Sequence, residues 1–149
     1  MKPNGLDANR VHAKLAMMRE ILDELEDLQG LSVDDLAVDR RTRAAVERFI
    51  SQLVDLATDV NAHLVAAHLD KVASNYRETF TLAAEAGVIT PELAKLLAPS
   101  AGMRNVIVHE YLELDLGQVV HAIPIAVTQY REFVRQVAAH LTSGDGPVA

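Results

Sequence analysis

Apolar positions recur along this chain at the three- and four-residue steps of helices, and nowhere alternate with polar ones as a half-buried strand requires. The first stripe is Val11, Leu15, Met18, Leu22 and Leu25, a narrow seam suited to a helix lying nearly parallel or antiparallel to a neighbour. Gly30 stops it. The second stripe, Val46, Phe49, Ile50, Leu53, Leu56, Ala57, Val60 and Leu64, is wider and fits the central helix of a bundle. A shorter helix is predicted around Tyr76 to Ala86, closed by Gly87. Thr90, Pro91 and Glu92 read as an N-cap, a first-turn proline and an acid favoured by the helix dipole, opening a short helix that ends near Pro99. The last stripe, Val119, Val120, Ile123, Val127, Tyr130, Phe133, Val134, Val137 and Leu141, encloses Pro124. That proline removes one backbone donor and predicts a kink. The pattern as a whole predicts an all-α antiparallel bundle of about four to six helices. It forms a single domain over residues 1–149, with flexible tails at about 1–7 and 142–149.

Length and composition agree with a globular domain. The chain has 149 residues, half of them apolar and 23% charged, enough to bury about two-thirds of its unfolded surface without cross-links. Fourteen Lys and Arg against twenty-one Asp and Glu give a net charge of −7. This argues against generic adhesion to nucleic acid or an anionic membrane, but leaves room for a local basic site. The absence of cysteine excludes disulfides, thiol catalysis and thiolate metal sites. Residues 1–9 lack the apolar core of a signal peptide, and Leu116 to Tyr130 is too short and polar to span a bilayer. A soluble cytoplasmic protein without membrane contact is therefore expected.

Charge is unevenly placed. Glu20, Asp23, Glu24, Glu26 and Asp27 crowd the C-terminal half of the first helix. That is the unfavourable end for the helix dipole, so these acids should be exposed or paired with a basic partner. Arg40, Arg41, Arg43 and Arg48 form the basic concentration at the start of the second stripe. They read as a solvated helix end, or as a phosphate-facing patch or docking surface.

None of the six histidines pairs with another at a three- or four-residue step, and His63 and His68, five apart, should point in different directions. No metal site and no cofactor are predicted. His12 and His140, near the chain ends, are expected to be solvated, and His121 to be a partly buried bundle residue. His109 differs through its neighbours. Arg104 lies five residues before it with Asn105 beside that arginine, and Tyr111 follows by two. Guanidinium, imidazole and phenol together supply a phosphate clamp, a proton shuttle near neutral pH and a hydrogen-bonding hydroxyl. Composition alone yields this spacing about 0.01 times in such a chain. A plainer reading keeps Arg104 and Glu110 as surface charges, His109 as a solvated or capping residue and Tyr111 as a core residue with an exposed hydroxyl.

Helix geometry adds a constraint. Five residues turn a helix by about 500°, leaving Arg104 and His109 roughly 140° apart, whereas Arg104 and Tyr111 share a face. One continuous helix cannot aim Arg104 and His109 at the same phosphate. Either the backbone breaks between them, or side chains from two subunits converge across a two-fold axis.

The segment RNVIVHEY, residues 104–111, resembles the Arg-(four)-His-(one)-Tyr signature of HepT-like toxins, a branch of the HEPN ribonuclease superfamily. The helix ERFISQLVDLATDV and the run from YRETF through VHEYLELD resemble that family as well. The resemblance implies an HEPN-like bundle acting as a metal-independent RNase toxin of a type VII-like toxin–antitoxin module. Such enzymes are homodimers with both motifs lining one cleft, where the ribose 2′-hydroxyl attacks the adjacent phosphate and leaves a 2′,3′-cyclic phosphate. By this resemblance His109 is the acid/base, Arg104 stabilises the phosphorane charge and Asn105 orients the site. Tyr111 would be the residue that a cognate MNT nucleotidyltransferase antitoxin AMPylates, blocking RNA by charge and bulk. The implied partners are RNA, a second copy and that antitoxin. The alternative is a non-catalytic HEPN-like bundle that binds a nucleotidyltransferase through the acidic first helix and the Arg40–Arg48 cluster. A third option is a purely structural dimerising bundle. The acidic balance and scattered aromatics predict weak, selective RNA binding in a small focused positive cleft.

Overall fold

Side-chain caps set where the helices begin. Asp7 accepts the Arg10 N–H, Asp39 that of Thr42, Asn75 that of Glu78 and Thr90 that of Leu93. Each satisfies a donor that the first helical turn leaves unpaired. The computed structural model describes residues 6–109 and 114–144. Within them lie α1 (Ala8–Asp27), α2 (Val33–Val38), α3 (Arg40–Leu69), α4 (Tyr76–Glu85), α5 (Pro91–His109) and α6 (Leu116–Gly144), and no strand occurs among the described residues.

The 30-residue helix α3 is the hub, packing against all five other helices, while α1 lies along α6 and α4 along α5. Leu15, Met18 and Leu22 of α1, Leu53, Val60 and Leu64 of α3, Phe80 of α4, Leu97 of α5 and Phe133 and Val137 of α6 are all fully buried in one contiguous core. Burying each such large side chain is worth about 1.5–3 kcal/mol relative to exposure. Phe80 and Phe133 meet edge-on with centroids 6.3 Å apart, and Tyr130 meets Phe133 at 6.1 Å. Gly87 takes φ +78° after α4, and its turn lets the Val88 N–H reach the Ala83 carbonyl.

Several expectations need correction. The helix predicted to end near Pro99 continues through Pro99 and Gly102 to His109. Pro99 cannot donate to the Lys95 carbonyl, a loss of about 3 kcal/mol in a helix interior. Burial of Leu93, Leu97, Ala98, Ala101 and Ile107 on both sides of it offsets that loss. Helix α2 was not anticipated. Ser32 and Asp35 form a reciprocal capping box there, and Leu36 enters the core. The inner residues of the predicted tails are engaged in the fold. Leu6 packs on the core, Asp7 caps α1, and α6 includes Thr142 and Ser143, whose hydroxyls donate to the Ala138 and Ala139 carbonyls. Residues 1–5 and 145–149 lie outside the described residues.

Helix α6 also runs on through Pro124. The basic partner required by the acidic end of α1 is in the same chain, since Arg131 of α6 reaches Asp23 at 2.9 Å and Glu26 at 2.7 Å. Among the described residues, no helix is long and apolar enough to cross a membrane.

Candidate functional site

Arg104 sits in the second half of α5, on the face turned toward α3 and α4. Its Nε donates to Asp55 Oδ1 of α3 at 2.9 Å. Its guanidinium carbon lies 5.0 Å from the ring centroid of Tyr76, the first residue of α4. The Asn75 cap sets the start of α4 and so the register that delivers Tyr76 to this place. Arg104 keeps 18% of its side chain exposed and Asp55 38%, so the pair is partly desolvated but open on one side. Burial is the main cause holding the Tyr76 phenol above its usual pKa. The negative charge of Asp55 adds to this, and Arg104 opposes it.

Asn105 is exposed, with its Oδ1 3.4 Å from Arg104 Nη1, while Nη2 has no hydrogen-bond partner among the described residues. The guanidinium is thus held from behind through Nε and by its face, and its outer edge remains available. His109 ends α5 and is exposed, where a cation is favoured by the helix dipole. Because α5 is unbroken from Arg104 to His109, the option of a backbone break is excluded and the 140° divergence stands. Arg104 and Asn105 are brought together, and His109 points elsewhere. Tyr111 and Glu110 lie outside the described residues.

Sequence reasoning did not single out Asp55 or Tyr76. The available signal was faint: Asp55 and Asp59 are the acids that interrupt the apolar second half of α3. The Arg40–Arg48 cluster is separate from this site. Arg40 and Asp55 are about 22 Å apart along α3. Arg43 is engaged by Glu47 at 2.7 Å, and Arg40, Arg41 and Arg48 are exposed.

Two clefts flank the region. One of about 500 Å³ runs between α3, α5 and α6, with Leu96, Pro99, Met103, Gln118 and Ile125 in its walls, and neither Arg104 nor His109 lines it. The other, about 480 Å³, is bounded by Asp59, Lys71, Asn75 and Tyr76 and adjoins the Arg104 cradle. Two of the remaining histidines, His140 and His121, settle differently from expectation. His140 is half-buried rather than solvated, its Nε2 lying 3.0 Å from that of His68 across α3 and α6. That pairing depends on tertiary contact, not on spacing within one helix. His121 is exposed at the larger cleft, and His63 accepts the Asp7 N–H at 2.9 Å. Among the described residues, no group of three or more His, Asp or Glu is placed to hold a metal ion.

Comparison with known proteins bears on this geometry. Residues 18–137 match the family described as Ribonuclease HepT-like. The chain is 33% identical over 131 residues to the tRNA nuclease HepT of Aphanizomenon flos-aquae (strain 2012/KM1/D3), covering 88% of this chain and 89% of that protein. It is 24% identical over 129 residues to the mRNA nuclease HepT of Shewanella oneidensis, covering 85% of this chain and 94% of the relative. Among solved structures, the fold is similar to a tri-AMPylated Shewanella oneidensis HEPN toxin in complex with MNT antitoxin. The TM-score is 0.77 at 23% identity, over 87% of this chain and 96% of that one.

Proposed function

The chain belongs to the ribonuclease HepT-like family and is an HEPN-class endoribonuclease, and from that premise we propose a composite, two-chain cleavage site. The observation that carries this reading is the unbroken α5, which leaves Arg104 and His109 on different faces of one helix. A two-fold dimer supplies the imidazole of one copy to the guanidinium of the other. In the proposed reaction the ribose 2′-hydroxyl loses its proton to a base and attacks the adjacent phosphorus. The 5′-oxygen leaves as it is protonated, and a 2′,3′-cyclic phosphate remains. His109 serves the proton transfers. Arg104 offers its outer edge to the phosphorane oxygens, and Asn105 orients that edge. RNA is the substrate class.

The same reading assigns Tyr111 as the residue AMPylated by an MNT-type nucleotidyltransferase partner. The added phosphodiester and nucleoside would repel and obstruct RNA two residues from His109. This assignment draws its support from the AMPylated state of the similar Shewanella oneidensis toxin and from the matching Arg-(four)-His-(one)-Tyr spacing here.

The decisive test is complementation. Purified protein incubated with RNA in EDTA should leave cyclic-phosphate ends, and Arg104→Ala and His109→Ala should each abolish cutting while remaining folded. Mixing the two inactive variants after subunit exchange should restore about a quarter of wild-type activity, because half the dimers then carry one intact composite site. A mixture that stays inactive after verified exchange would refute the two-chain site. Intact mass should show increments of AMP after exposure to the partner and ATP, lost in Tyr111→Phe. Persistence of the increment would move the acceptor elsewhere.

A further inference from the structure

Arginine has five N–H donors and can grip a phosphate through either of two edges, the Nη1/Nη2 edge or the Nε/Nη2 edge. In this chain Asp55 Oδ1 takes the Nε hydrogen at 2.9 Å, so the second edge is blocked. The Tyr76 ring covers one face of the guanidinium at 5.0 Å and limits its swing. Asn105 touches Nη1 at the margin of hydrogen bonding, and Nη2 is unclaimed among the described residues.

Asp55 is held in place by the long α3 and Tyr76 by the capped start of α4, so two separate elements converge on one mobile side chain. A counter-ion placed merely to neutralise Arg104 would lower its attraction for RNA. A carboxylate seated on Nε does something else as well, because it fixes which edge faces outward.

We infer that Asp55, backed by the Tyr76 ring, is a positioning residue that presents the Nη1/Nη2 edge of Arg104 to the scissile phosphate. The inference rests on the proposed role of Arg104 and deepens it. Asp55 itself does not touch substrate. It converts a flexible cation into one oriented before RNA arrives, and a displacement of about 1 Å at such a site can cost on the order of 100-fold in rate.

The experiment measures RNA cleavage by full-length protein carrying Asp55→Ala, Asp55→Asn, Tyr76→Leu or Tyr76→Phe, with Arg104→Ala alongside and thermal unfolding of each. Asp55→Ala should lower kcat by about 10- to 100-fold with KM changed by less than about threefold. Asp55→Asn, whose amide oxygen can still accept from Nε, should recover most of that loss. Tyr76→Phe should match wild type, and Tyr76→Leu should fall with Asp55→Ala. Faster cleavage or a lower KM in both Asp55 variants would overturn the inference, since Asp55 would then be a competing counter-ion. A kcat for folded Asp55→Ala within about threefold of wild type, whatever its unfolding temperature, would also overturn it. If Arg104→Ala itself remains active, the role of Arg104 has failed, independently of the Asp55 results.

Discussion

Arg104 and Arg131 are both bound by carboxylates from another helix, and the difference in how they are held separates a proposed site from a fastening. Arg131 meets Asp23 and Glu26 through a single nitrogen, Nη2, at 2.9 and 2.7 Å, so both acids sit on its outer end. Those acids are largely exposed, at 75% and 51%, and the arginine at 37%. Arg104 meets one carboxylate through Nε, is covered on a face by Tyr76 and is more buried. The first arrangement joins α1 to α6 and takes both hydrogens of Nη2, the nitrogen shared by the two edges that can grip a phosphate. The second holds the base of the head group and leaves its tip open. Which nitrogen is occupied, more than the presence of a salt bridge, decides whether an arginine can act on a phosphate.

The largest effect expected from this contrast is on activity. Arg104→Lys should lower RNA cleavage by about 100-fold or more, because a point-charge ammonium cannot reproduce a planar two-donor edge. Arg131→Lys should leave the rate unchanged. Equal losses in a cleavage assay would erase the distinction between the two arginines. Next in size is stability along the α1–α6 seam. Leu22 is fully buried there, and Leu22→Ala should cost about 2–5 kcal/mol in urea unfolding. Arg131→Ala should cost less than about 1 kcal/mol, since its partners are solvated and screened. A larger loss for Arg131 than for Leu22 would mean that the ion triad, not the apolar seam, fastens the two helices.

Smaller effects appear at the ends of the pH range. The Tyr76 pKa is raised above 10.0 in the folded chain. Its contribution is therefore fully present below the ordinary tyrosine pKa and lost as pH climbs through the folded value. Tyr76→Phe should flatten the alkaline fall in unfolding temperature above about pH 10. Glu132 on α6 is lowered from 4.5 to about 2, chiefly by its hydrogen bonds to Arg135 and then Gln136. That contribution is present above 4.5 and disappears as pH falls toward about 2. Glu132 is solvent-facing, so Glu132→Gln should alter the acid limb only slightly. An acid limb governed by Glu132 would show that exposed pairs on α6 matter more than the burial around Arg104.

Much of this molecule was legible in one dimension. The apolar stripes place α1, α3, α4 and α6, and most of the positions they name are buried, with Phe49, Leu56 and Val120 only partly so. The spacing of Arg104, Asn105, His109 and Tyr111 suggests the chemistry proposed for them, and helical arithmetic alone states the difficulty of joining Arg104 to His109. Local rules failed at Pro99 and Gly102, both poor helix formers, in the middle of α5. Burial of the residues on either side carries the helix through them.

What the sequence determined alone is the set of amphipathic helices and the residue types at the motif, because hydrophobic period and capping act within a turn or two of chain. Tertiary structure decided the rest. Asp55 lies 49 residues from Arg104, and their contact exists because α3 and α5 pack side by side. His68 and His140 meet across α3 and α6 for the same reason. Contacts of this kind depend on how helix faces settle against one another, and no local propensity encodes that arrangement.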